Sequence, residues 1–178
     1  MKRLLSVVCS VVLLCGCFGS QKEVEPVAVE TQAAVSAPVM VVNVLDKAMY
    51  DDAHIKGSIN VPMDQVMTAS EQWDKAATIV LYCSNTMCAS SSEVARQLVE
   101  KGFTNVAVYE GGMAEWFQIG QKDAEYIVEG PHSEVYLTME VAPQPAPVEV
   151  ENVTTTAAIK KITAVELQKL MKEANLLA

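Results

Sequence analysis

Two cysteines five positions apart, Cys83 and Cys88, stand where an apolar run gives way to a helical pattern. Ile79-Val80-Leu81-Tyr82 reads as a buried strand, and from Ser90 onward the apolar residues recur at helical spacing. A thiol at such a junction faces the free backbone N–H groups and the positive dipole end of the helix, a setting that favours thiolate over thiol and holds anions. Nucleophilic sulfur chemistry at Cys83 is the reaction class this predicts. Two thiols around one loop can also close a disulfide if their Cα atoms come within about 7 Å. Cys88 is therefore expected as a disulfide or resolving partner, and the pair as a redox couple.

The elements needed to hold that loop lie on both sides of it. Met40 to Val44 is a short apolar run suited to a strand covered on both faces, and Asp46 to Ala53 carries turn and helix formers. His54 to Pro62 returns to an extended segment, and Met63 to about Thr68 has helical spacing, its methionines serving as core filler. Thr78 to Tyr82, Ser90 to Lys101 and Asn105 to Tyr109 then make a βαβ unit, with Gly102 as the left-handed residue after the helix and Ser90 and Glu93 as a capping box. In parallel sheets ligands sit beyond the carboxyl ends of the strands, where Cys83 falls. Glu110-Gly111-Gly112 makes a tight loop into a short helix, Met113 to Ile119, that carries Trp116. One α/β domain over residues 38–129 is expected.

Residues 130–157 are expected to hold an edge strand and a linker. Val135, Leu137, Met139 and Val141 alternate with polar neighbours at the period of a half-buried strand, and Pro143, Pro145 and Pro147 mark an extended connection. Residues 158–178 suit an amphipathic helix with Thr163 and Glu166 as its capping box. Its stripe of Leu167, Leu170, Met171 and Ala174 needs cover, so the helix is expected to fold back on the domain rather than begin a second one.

The N-terminus explains the remaining cysteines. Met1-Lys2-Arg3, the apolar stretch Leu4 to Leu14 and the small residues that close it read as a secretory signal over residues 1–16. The stretch is short of the roughly 20 apolar residues of a permanent span. Leu14-Cys15-Gly16-Cys17 resembles the lipobox of bacterial lipoproteins, which implies cleavage before Cys17, a lipid on its sulfur, and loss of Cys9 and Cys15 with the signal. Residues 17–37 then form a flexible tether. The expected location is the cell envelope, where disulfides persist. With no Asp directly after Cys17, the outer membrane facing the periplasm is expected in a Gram-negative cell.

Charge narrows the partners. The chain carries a net charge of −9; without residues 1–16, 11 basic residues face 22 acidic ones, a net −11. Nucleic acid is excluded as an expected partner, and anionic headgroups repel the chain, which leaves the lipid as its membrane contact.

Three pieces in chain order resemble the rhodanese, or sulfurtransferase, family: His54-Ile55-Lys56-Gly57-Ser58-Ile59-Asn60-Val61-Pro62, the strand that ends at Cys83 with its loop, and Gly111-Gly112 with Trp116. The resemblance covers about half of the chain. It implies a doubly wound α/β domain, a parallel sheet flanked by helices, whose loop cysteine carries a persulfide. Cys83 is the corresponding position. It would take sulfane sulfur from a donor such as thiosulfate and pass it to a thiol or another nucleophile, with Ser84, Asn85, Thr86, Met87, Cys88 and Ala89 curled around the sulfur as a cradle of N–H donors. The loop is also similar to the Cys-x-Asn-x-x-Cys loops of exported rhodanese-like proteins, matching at Cys83, Asn85 and Cys88.

The chain departs from the family at specific places. Glycine and arginine are common inside the loop near the places of Thr86 and Cys88, and the first strand commonly ends in Asp-x-Arg where this chain has Asn43-Val44-Leu45. His54 is expected as a hydrogen-bonded turn residue and His132 as solvated. Phosphatase chemistry on this fold needs an arginine at the phosphate loop and is disfavoured. Two cysteines without a nearby histidine pair do not make a zinc site, and no metal or cofactor is expected. Three readings result: a sulfurtransferase using Cys83, a non-catalytic rhodanese-like module that binds a protein partner, and a thiol redox protein using Cys83 and Cys88.

Overall fold

The computed structural model of the chain describes residues 37–139 and 159–178. The signal over residues 1–16, Cys17, all but the last residue of the 17–37 tether, and the Pro-rich part of the 130–157 linker lie outside the described residues.

Five short strands make an all-parallel sheet. In chain order they are β1 (Val39–Asn43), β3 (Ile59–Asn60), β4 (Thr78–Tyr82), β5 (Asn105–Tyr109) and β7 (Lys160–Lys161), arranged in space as β3-β1-β4-β5-β7. Val42 pairs with Leu81 across β1 and β4, and Leu81 with Val108 across β4 and β5. A separate antiparallel ribbon joins β2 (His54–Ile55) to β6 (Val128–Glu129).

The two faces of the sheet bury different residues, as the alternation of strand side chains requires. Val41, Val80, Tyr82, Ala107 and Tyr109 lie in one core cluster, together with Trp116 of α4 (Gly112–Gly120) and Leu167 and Met171 of α5 (Ala164–Glu173). Val42, Ile79, Leu81, Val106 and Val108 lie in the other, with Val94, Ala95 and Leu98 of α3 (Ser90–Glu100). The sheet is thus flanked by helices on both faces, the doubly wound arrangement.

Local chemistry fixes the element ends. The short α1 (Lys47–Asp52) is N-capped by Asp46, whose carboxylate accepts the Met49 N–H at 2.9 Å, and a single turn, α2 (Val66–Ala69), follows β3. Gly102, at φ +92°, turns the chain after α3, and its N–H reaches the Val99 carbonyl. α5 carries the full capping box of Thr163 and Glu166.

Three expectations are corrected. Val135–Thr138 forms a single 3-10 turn and not an edge strand, leaving Val135 and Met139 exposed and only Leu137 fully buried. The cause is Asp52: its carboxylate accepts the N–H groups of Ser133 and Glu134 and the Ser133 hydroxyl, which pins the chain in a turn before any strand could pair. The sheet edge beside β5 is taken instead by Lys160–Lys161, with the Ile162 N–H on the Val108 carbonyl at 3.0 Å. The Ser90–Glu93 capping box is also absent. Ala89 is the N-cap, Ser90 is already helical, and the Glu93 carboxylate accepts from Arg96 and Gln97. His132, finally, is half-buried: at φ +59° its N–H donates to the Asp52 carbonyl, its ring lies edge-on to Phe117, and its Nε2 is buried.

The Cys83–Cys88 loop as candidate active site

β4 delivers Cys83 to the carboxyl edge of the sheet, and α3 begins two residues after Cys88. The loop between them is tightened by Asn85. Its side-chain oxygen accepts the Met87 N–H at 3.0 Å, and its carbonyl accepts the Cys88 N–H at 3.0 Å. α4 closes the loop from the other side: its Met113 and Ala114 N–H groups, free at a helix start, donate to the carbonyls of Cys83 and Ser84 at 2.9 Å each. This is the task of the Gly111-Gly112 pair, because Gly112 sits at φ +63° with its α-carbon pressed against the Cys83–Asn85 backbone.

The His54–Pro62 motif supports the strand that carries Cys83. The Tyr82 hydroxyl accepts the Ile55 N–H at 3.1 Å and pairs with the Ser58 hydroxyl at 2.8 Å, and burial pushes its pKa up to about 12. His54 stacks on Tyr50 with ring centres 4.0 Å apart; its Nδ1 is 2.8 Å from the Tyr50 carbonyl and its Nε2 3.3 Å from the Glu129 carboxylate. Both ring nitrogens are therefore engaged in holding the turn. Asn43 is fully buried and spends its side-chain oxygen on the Leu45 N–H at 2.8 Å.

The two thiols differ sharply in surroundings. Cys83 has no exposed surface; its sulfur lies 3.2 Å from the Cys88 carbonyl, 3.9 Å from the Asn85 carbonyl and 3.5 Å from the Ser91 hydroxyl. Cys88 is half-buried at the start of α3. Its sulfur receives the Cys83 thiol, the hydroxyl and N–H of Ser90, and the N–H of Ser84. These donors, the Cys83 thiol foremost, pull the Cys88 pKa down to about 4 against the opposing effect of burial. Donating to Cys88 and lying buried push the Cys83 thiol up. The two thiols are thus unequal, Cys88 the more acidic and Cys83 the less.

Two features of the loop bear on the expected site. Cys88 is the more acidic of the two sulfurs, drawn down by the Cys83 thiol first and by Ser90 and Ser84, while Ser91 at the helix start acts on Cys83. Within the segment Ser84 to Ala89 the Asn85 and Cys88 carbonyls face the Cys83 sulfur, and the Met87 and Cys88 N–H groups are taken by Asn85. Thr86 is half-buried within the loop, and Met87 stands out of it, 84% exposed. Ser91, a contact of Cys83 that the sequence analysis did not single out, was signalled only by the run Ser90-Ser91-Ser92 at the helix start. Among the described residues no group of three or more His, Cys, Asp or Glu side chains is placed to hold a metal ion.

Residues 28–119 match the rhodanese-like domain family. The chain is 32% identical over 78 residues to the thiosulfate sulfurtransferase GlpE of Coxiella burnetii, an overlap of 44% of this chain and 71% of that protein. Among solved structures it is similar to the Alr3790 protein of Anabaena, at 30% identity over 52% of this chain and 78% of that one, with a TM-score of 0.45. It is also similar to the BH2092 protein of Bacillus halodurans, at 25% identity over 53% and 65%, with a TM-score of 0.46. A parallel sheet between two helical layers, a cysteine loop at its carboxyl edge, and a family match that spans both together establish that the chain belongs to the rhodanese-like domain family.

Proposed function

We propose that the protein is a sulfurtransferase of the cell envelope, anchored by lipid on Cys17, that carries sulfane sulfur as a persulfide on Cys83. The observation that carries the reading is the placement of Cys83 at the carboxyl edge of the sheet, its sulfur 3.2 Å from the Cys88 carbonyl in the loop that leads into α3. The name of the Coxiella relative supports thiosulfate as the class of donor.

The pair supplies both a nucleophile and a base. As Cys83 attacks the outer sulfur of thiosulfate, its proton passes to the Cys88 thiolate, the donor's S–S bond breaks, and sulfite departs with the electron pair. A nucleophile then attacks the outer sulfur of the persulfide, and Cys83 leaves as thiolate. No lysine or arginine lies in the loop, so the anionic donor depends on N–H groups and on the positive end of α3. Anchoring rests on Leu14-Cys15-Gly16-Cys17, outside the described residues. Among the described residues no helix is long and apolar enough to cross a membrane.

A thiosulfate:cyanide assay tests the chemistry. Cys83→Ser is expected to lose more than about a thousandfold in rate, whereas Cys88→Ser loses roughly a hundredfold at neutral pH and recovers as alkali ionises Cys83 directly. Unchanged activity in Cys83→Ser contradicts the reading. Metabolic labelling with a fatty acid tests the anchor: label is expected on the wild type and absent from Cys17→Ser, and an unlabelled wild type contradicts it.

A further inference from the structure

The persulfide of the proposed reaction would form beside the second cysteine of the same loop, whose side chain shares its apolar cluster. Cys83 has no exposed surface, so an acceptor from solvent reaches its sulfur only past the loop. Cys88 needs no approach at all. The Cys88 carbonyl lies 3.2 Å from the Cys83 sulfur, the two thiols are close enough to shift each other's acidity, and both side chains pack into one apolar cluster with Leu81 and Val94. A reaction between groups held in contact has the advantage of effective concentration over any dissolved competitor.

We infer that Cys88 resolves the Cys83 persulfide, closing a Cys83–Cys88 disulfide and releasing the sulfane sulfur as hydrosulfide, so that the loop reduces sulfane sulfur with electrons from its own two thiols. The inference rests on the sulfurtransferase reading, since it starts from the Cys83 persulfide. After the first step the persulfide is anionic and Cys88 carries the proton taken from Cys83. That proton returns to the outer sulfur, giving Cys83–S–SH beside a Cys88 thiolate. The thiolate attacks the Cys83 sulfur, the S–S bond of the persulfide breaks, and HS⁻ leaves with the electron pair. Both cysteines are oxidised by one electron each, the sulfane sulfur gains two, and no outside oxidant or reductant takes part in that turnover.

A further turnover requires a dithiol reductant, and the geometry sets its point of attack. The half-buried Cys88 sulfur is the accessible end of the disulfide, next to the exposed Met87. A reductant thiolate would attack Cys88, Cys83 would leave and take up a proton, and the second thiol of the reductant would then release Cys88.

Single turnover of the whole chain, reduced and then freed of reductant, separates the two steps because each has its own product. Sulfite reports the attack by Cys83, and hydrosulfide reports resolution by Cys88. With one equivalent of thiosulfate the wild type is expected to release both in equal amounts and to end two hydrogens lighter across Cys83 and Cys88. Cys88→Ser, incubated to completion at alkaline pH, is expected to release sulfite, retain one sulfur on Cys83 and give no hydrosulfide. Sulfite without hydrosulfide from the wild type, or as much hydrosulfide from Cys88→Ser as from wild type, overturns the inference and leaves the sulfurtransferase reading standing. Neither product from the wild type overturns the reading beneath it.

Discussion

The α-carbon of Gly112 lies directly behind the carbonyl of Cys83: a Cβ there would fall 2.6 Å from that oxygen and 2.8 Å from the Asn85 nitrogen. The same carbonyl accepts the Met113 N–H at 2.9 Å, so the start of α4 and the cysteine loop hold each other in place. Backbone, not a mobile side-chain end, is what a new methyl group would meet, and the φ of +63° is itself strained for any L side chain. Gly112→Ala is expected to cost at least about 2 kcal/mol in stability and to remove the hydrogen bond that fixes Cys83. Thermal unfolding together with the sulfur-transfer assay checks this; a variant with wild-type midpoint and rate would show that the close approach is not needed.

The unequal thiols predict unequal alkylation. A group whose pKa is held near 4 is thiolate throughout the range above it and is lost as reactive anion only as the pH falls through that value. Iodoacetamide is therefore expected to modify Cys88 at nearly constant rate from pH 5 to pH 8, while Cys83, pushed up and buried, stays unmodified until strongly alkaline conditions. Peptide mapping after brief labelling reads both. Preferential labelling of Cys83 at pH 6 would reverse the order of acidity.

The C-terminal segment belongs to the sheet that carries the site. Leu167 and Met171 have no exposed surface, Lys161 pairs with Glu110 at 2.7 Å, and the Leu176 carbonyl abuts Gly57 of the His54–Pro62 motif. Leu167→Ala is expected to destabilise by about 2–5 kcal/mol, as truncation of a buried leucine does. Deleting residues 159–178 would bare one edge of β5 and the apolar surface beneath α5, and is expected to lower the unfolding midpoint more than the single substitution. An unchanged midpoint on deletion would mean that the segment contributes nothing to the domain.

What could be read from the chain without the structure follows the range of the forces involved. Thr78 to Tyr82 and Asn105 to Tyr109 announce themselves because a strand buried on both faces must be apolar throughout, and Cys83 at the end of one is located by that alone. Asp46 and Thr163 act on N–H groups three residues away, so their caps are legible too. The alternation over residues 135–141 misleads because a carboxylate from far along the chain, Asp52, takes the N–H groups of Ser133 and Glu134. Lys160–Lys161 carries no strand signal: two charged residues occupy the edge through backbone bonds, held there by the burial of Ile162 and Leu167. The inequality of Cys83 and Cys88 was equally hidden, since it depends on Ser84, Ser90 and Ser91 converging in space. Residue types and spacing located the pair but not its difference in acidity.

The central claim is that Cys83 carries the sulfur, and mass mapping of the Cys88→Ser chain tests it most directly. In that variant Cys83 is the remaining cysteine of the described residues, and no second thiol can draw the sulfur away. After incubation with thiosulfate at alkaline pH, alkylation and proteolysis, the peptide containing Cys83 is expected to carry one additional sulfur, removed by cyanide as thiocyanate. A folded Cys88→Ser chain whose Cys83 peptide gains no sulfur under those conditions would contradict the account.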